Sequence, residues 1–288
     1  MLKRTLLYLV LSFFYSVTAY SQIPTEKSLL WEISGNGLKS SSYLYGTFHL
    51  LCENDLKLDS LVYKKLNTCS NLYLELDFDD PNMITEMQQA MMKGNGESVK
   101  KYVTEEEFKQ MNDAMQKMSG YPLEPFVGMK PMLTASFLYP GVLGCAPSSP
   151  EGVLVTHATT NKMGIHGLET VARQMSIFDK IPFEEQTKML KEYLLTPNSF
   201  KTQTEQMLGL YRTKDVPGMY AMMEEDGEMS NYLDIMLFER NTEWIEKIKA
   251  NSAKSACFYA VGAGHLGGEY GVISLLRKAG FTVSPSVN

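Results

Sequence analysis

The segment Cys257-Phe-Tyr-Ala-Val-Gly-Ala-Gly-His265-Leu-Gly-Gly268 runs from apolar to glycine-rich and carries a histidine where the apolar run has ended. Its first part, 257–261, is short and apolar throughout, the pattern of a strand buried on both faces. Beyond the glycines, 269–278 has helical spacing and 281–284 reads as another strand, so the chain closes on a strand–helix–strand unit. Ligand sites of α/β sheets lie outside the carboxyl ends of strands, where glycine lets other groups approach the backbone closely. His265 stands at such an end.

The same arrangement occurs far upstream, at Ser42-Tyr-Leu-Tyr-Gly46-Thr-Phe-His49-Leu50. Residues 29–34 form a strand, Gly35-Asn-Gly37 is a turn signal, and 43–50 is the antiparallel partner. A helix is predicted over 55–66. The segment 69–78 alternates, with Leu72, Leu74 and Leu76 on one face and Tyr73, Glu75 and Asp77 on the other. From 81 the chain is helical: Thr104 and Glu107 make a capping box, Ser149 and Pro150 open another helix, and 165–168 is a short strand ending in Gly167-Leu-Glu169-Thr170. Helices then follow over 183–195, 200–211, 216–223 and 229–250. The expected fold is α/β, a central mixed sheet flanked by helices with a largely helical middle. Residues 22–288 are read as a single domain with a helical insertion at about 81–160.

At 288 residues and 44% apolar content, the chain has ample length for a buried core. A net charge of −6 argues against a nucleic-acid partner. The 19 methionines fall mostly at helical spacing and read as core filling. Lys3 and Arg4 precede a mostly apolar run over 6–17, and Ala19-Tyr-Ser21 supplies small residues where a signal peptidase looks. Residues 1–21 are therefore expected to be a signal peptide cleaved before Gln22, with the mature protein exported, periplasmic or secreted, and without stable membrane insertion. Export permits disulfides among Cys52, Cys69, Cys145 and Cys257, whose pairing the spacing leaves open.

Two histidines at glycine-ended strands, joined by a carboxylate, suit a divalent ion with open positions for water. His49, His265 and Glu75 are the expected metal ligands, Glu75 because its strand is expected to neighbour that of His49, with Asp77 in reserve, and a metal-lowered water pKa would give metal-assisted hydrolysis. His157 and His166 read as packing or surface residues. Glu169 is either a support for the site or a first-turn carboxylate favoured by the helix dipole. Arg240, in Glu239-Arg-Asn-Thr-Glu-Trp244, either forms an ion pair at a helix head or anchors substrate and stabilises an oxyanion. No nucleophile elbow, phosphate loop, His-Glu-x-x-His helix or zinc-ribbon spacing occurs. Gly262-Ala-Gly264-His-Leu-Gly267 fits a dinucleotide fingerprint in form only, because no acid-ended strand follows it.

Leu30-Trp-Glu-Ile-Ser-Gly, Tyr45-Gly-Thr-Phe-His49, Leu74-Glu75-Leu-Asp77, Gly167-Leu-Glu-Thr170, Glu239-Arg-Asn241 and Val261-Gly-Ala-Gly-His265-Leu together resemble the TraB/GumN family. That family is related to the Tiki metalloproteases and the erythromycin-esterase/ChaN-like group. The resemblance implies an EreA/ChaN-like α/β fold and a pocket built from both Gly-x-x-His motifs. It makes His49, Glu75 and His265 metal or catalytic residues, supported by Glu169 and Arg240. It further implies a metal-dependent hydrolase, a peptidase using manganese, cobalt or zinc on a peptide or small-molecule substrate. A non-catalytic peptide-, small-ligand- or haem-binding protein is the alternative. One departure falls at Glu151-Gly-Val153, where relatives have a Gly-Val-Asp-like helix start. An acid precedes the glycine here, so the resemblance assigns it no role.

Overall fold

The computed structural model describes residues 23–91, 96–227 and 229–287. The signal peptide reading of 1–21 lies outside the described residues. Six strands form one mixed sheet: β1 Leu30–Gly35, β2 Ser42–Thr47, β3 Asn71–Leu74, β4 Gly164–Gly167, β5 Cys257–Gly262 and β6 Phe281–Pro285, in the order β4-β3-β5-β2-β1-β6. The four strands from β4 to β2 run parallel, while β1 is antiparallel to both β2 and β6. The expected hairpin of β1 and β2 forms, turning through Gly35, Asn36 and Gly37, all with positive φ.

The helices are α1 Ser60–Leu66, α2 Met83–Met91, α3 Glu105–Ser119, α4 Pro131–Thr134, α5 Tyr139–Leu143, α6 Pro150–Thr160, α7 Val171–Lys180, α8 Phe183–Leu195, α9 Pro197–Arg212, α10 Val216–Glu225, α11 Glu239–Ser252 and α12 Val272–Lys278. Local chemistry sets their starts. The Thr104–Glu107 capping box opens α3, and the Ser149 hydroxyl accepts from the Gly152 N–H to open α6. α12 begins later than the sequence predicts, because Gly271 takes the extended geometry of an N-cap, φ −69° and ψ 153°.

The predicted helix over 229–250 is broken as well. A 3-10 turn at Met229–Tyr232 and a π-turn at Asp234–Phe238 precede α11, and the wider turn comes immediately before Arg240.

β2 and β5 are buried along their whole length, as strands covered on both faces must be. Trp31, Ile33, Leu44, Leu72, Phe258 and Tyr259 form the main core around them. A second core is helical and joins α3, α5, α8 and α9 through Met111, Met115, Val142, Leu190 and Phe200. Met111 and Met115 are fully buried, in line with methionine as core filler. No helix among the described residues is long and apolar enough to cross a membrane.

Candidate functional site

Because β4, β3, β5 and β2 are parallel, their carboxyl ends open on the same side of the sheet, and the sequence-predicted residues gather there. His49 follows β2, Glu75 follows β3, Glu169 follows β4, His265 follows β5, and Arg240 enters from the first turn of α11. One expectation is corrected: the strand of Glu75 does not adjoin that of His49. β5 lies between them, since it pairs with β2 on one side and β3 on the other. A carboxylate after β3 therefore reaches His49 across the end of β5, over Gly262. Asp77, the reserve ligand, lies in the next turn and accepts the Asp79 N–H.

Gly262 marks the centre. A Cβ built there would come within 3.3 Å of Glu75 Oε1, 3.4 Å of His49 Nε2 and 3.6 Å of His265 Cδ2. Glu75 Oε1 lies 3.9 Å from His49 Nε2 and 3.8 Å from His265 Nε2, and it accepts the Gly262 N–H at 2.8 Å. Its other oxygen accepts from Arg240 at 2.6 Å and from Gln174 at 3.1 Å. Burial works against ionisation of Glu75. His265, Arg240 and His49 around it, with the Gly262 N–H, outweigh burial and hold the carboxyl far below its ordinary range.

Arg240 is buried and fully engaged. A guanidinium has about five N–H donors in a fixed fork. Here Nε donates to Glu169, Nη2 to Glu75 and Glu169, and Nη1 to the Met236 carbonyl and to His265 Nε2, the last two at 3.0 Å. The Trp244 ring lies beneath both the guanidinium and His265. Burial pushes Glu169 upward, against the pull of Arg240. Glu169 and Arg240 thus form one buried ionic assembly with Glu75.

The tautomer of His265 follows by elimination. Asn241 Nδ2 donates to the Tyr270 and His265 carbonyls, which turns its Oδ1 toward the ring. His265 Nδ1 therefore donates to Asn241 Oδ1 at 2.6 Å, and Nε2 accepts from Arg240, which can only donate. Burial, then the Arg240 charge, pushes His265 down to about 3. It is a neutral imidazole with both nitrogens committed.

His49 differs. Its side chain is 64% exposed, against 5% for His265. Nδ1 donates to Glu151 Oε1 at 2.8 Å, and the Thr47 hydroxyl donates to the same oxygen at 2.6 Å. Partial desolvation would lower His49, but the Glu151 hydrogen bond and the charges of Glu75 and Glu151 raise it to about 9, a pull that its open ring edge screens in part.

Sequence reasoning missed Glu151. Its only local signal was an acid in the first turn after the Ser149-Pro150 helix start. Cys52 and Cys145 form a disulfide, settling the open pairing, while Cys69 and Cys257 are buried free thiols. His157 bonds Asn67 and His166 bonds Asn71, both away from the cluster.

The residues do not fit a divalent ion as they stand. Among the described residues no group of three or more His, Cys, Asp or Glu side chains is placed to hold one. The reason lies in the donor set: Arg240 occupies the free nitrogen of His265 and one oxygen of Glu75, which puts a fixed positive charge where a cation would bind. A cavity of about 700 Å³ lies to one side, lined by Tyr220, Glu224, Asp234, Phe238, Glu269 and Tyr270 among others, and does not include the cluster.

A mixed α/β sheet with a buried ionic cluster at the carboxyl ends of its parallel strands defines the class of protein. The chain belongs to the TraB/PrgY/gumN family, whose family model matches residues 29–285. Comparison with curated proteins and with solved structures gave no match.

Proposed function

We propose that the protein is an exported hydrolase of the peptidase kind, reacting over Gly262, with His49 as the group that moves protons. The observation that carries this reading is the exposed His49 imidazole, bonded through Nδ1 to buried Glu151 at 2.8 Å and leaving Nε2 toward the clearing. Unprotonated His49 takes a proton from a water there, the water oxygen attacks the substrate carbonyl, and the imidazolium returns the proton to the leaving nitrogen. Glu151 stabilises the imidazolium in between. Glu75 accepts the second proton of the water as a hydrogen bond and so aims it. Arg240 and Glu169 act at one remove, since the guanidinium has no donor to spare for substrate. The Cys52–Cys145 disulfide supports an oxidising compartment, in keeping with export.

The metal-dependent version, with manganese, cobalt or zinc on His49, Glu75 and His265, needs Arg240 to release His265 Nε2 and Glu75 Oε1 to turn from the Gly262 N–H, so no step above runs through an ion. Turnover of a fluorogenic peptide library, with and without chelator, separates the two. Expected is cleavage that survives chelation and falls about 100-fold or more in His49→Ala. Cleavage that depends on added metal would restore the metal reading. The large aromatic cavity favours a second reading, a non-catalytic binder of peptide or small ligand. Absence of turnover under every metal, with ligand binding retained, selects it, and a Soret band on haem addition would make that ligand haem.

A further inference from the structure

We infer that Glu151 is the positioning residue of His49, fixing the tautomer and ring plane that turn Nε2 toward Gly262; its effect on turnover rests on the hydrolase reading above. An ionised carboxylate only accepts, so the 2.8 Å contact places the proton on Nδ1 of neutral His49 and leaves Nε2 with its lone pair. Glu151 is itself aimed by β2, because the Thr47 hydroxyl, two residues before His49, donates to the same Oε1 at 2.6 Å.

The two segments are also pinned together through their backbones. Leu51 and Ser148 exchange hydrogen bonds at 2.8 and 2.9 Å, and the Cys52–Cys145 disulfide closes beside them. The His49 loop and the first turn of α6 are thus held in register beside the contact. The second oxygen of Glu151 is buried without a partner, which costs folding stability. Folding alone therefore does not account for a carboxylate here, whereas orienting His49 does.

The test is nitrogen-15 NMR of labelled histidine in the wild type, Glu151→Ala and Glu151→Asp, with peptide turnover in parallel. Above about pH 9, where His49 has lost its second proton, the wild type is expected to show it as the neutral Nδ1–H tautomer. Glu151→Ala should move it toward Nε2–H and lower kcat about 100-fold, with KM changed less than about threefold. Glu151→Asp should recover part of both. If Glu151→Ala does not fold, Glu151→Gln keeps the shape without the charge and should still lower kcat at least about 10-fold. An unchanged tautomer in Glu151→Ala, or an unchanged kcat in either variant, overturns the inference. A tautomer that moves while the wild type itself cleaves nothing overturns the hydrolase reading and leaves the positioning role standing.

Discussion

The loop after β2 and the loop after β5 carry the same Gly-x-x-His spelling on adjacent parallel strands, with Gly46 opposite Val261 and Thr47 opposite Gly262. The first delivers a histidine that is open on one edge and tied to a carboxylate. The second delivers one that is buried, tied to an amide and capped by a guanidinium. One motif therefore serves two chemistries, and the neighbours decide which. His49 is set to gain and lose a proton, while His265 is set to stay neutral and hold Arg240. The contrast also bears on the metal question, because two imidazoles in such different states do not behave as a matched pair of ligands.

The comparison breaks most visibly at Arg240. Arg240→Met leaves Glu75 and Glu169 buried without their cation, and denaturant unfolding should show a loss of about 3–5 kcal/mol. A loss below about 1 kcal/mol would mean that the ionic assembly does not hold the β5 side together. Gly262→Ala sharpens the contrast more locally. Its methyl would crowd Glu75 Oε1 and His49 Nε2, so turnover should fall about 10- to 100-fold while stability changes by under about 1.5 kcal/mol. Turnover at the wild-type level would remove Gly262 from the reacting centre.

Stability against pH probes the comparison from both ends, and the two histidines act with opposite sign. His49, raised to about 9, contributes stability that is complete below its unfolded value near 6.5 and is lost as pH climbs from there through 9. His265, lowered to about 3, binds no proton in the fold where the unfolded chain does, so stability is lost as pH falls from about 6.5 toward 3. Unfolding midpoints should then peak between about pH 6 and 7, with the alkaline side shallower because the His49 ring edge is in solvent. A peak displaced to pH 8 or above would reverse the assignment.

The fold was legible where local signals were strong. The apolar run of 257–261, the Gly35-Asn-Gly37 turn and the Thr104 capping box each act within a few residues, and each forms. The helix over 229–250 becomes α-helical only from Glu239, because its apolar spacing reads the same through the 3-10 and π turns that precede it. For the candidate site, histidines at glycine-ended strands drew attention to His49 and His265, and β-alternation to Glu75, residues that the fold brings together. Glu151 was not legible: its contact with His49 joins residues 102 apart, and no spacing rule spans that distance. The insertion of β5 between β2 and β3 is likewise a tertiary choice. That Arg240 has no donor to spare is visible only once every acceptor around it is placed.

The two-histidine account is tested most directly by nitrogen-15 NMR titration of the imidazoles in the wild-type protein. His265 is expected to remain a neutral Nδ1–H tautomer from pH 5 to 9, while His49 titrates above the ordinary imidazole value near 6.5. A His265 that takes up a proton near neutrality, or shows the Nε2–H tautomer, would contradict it.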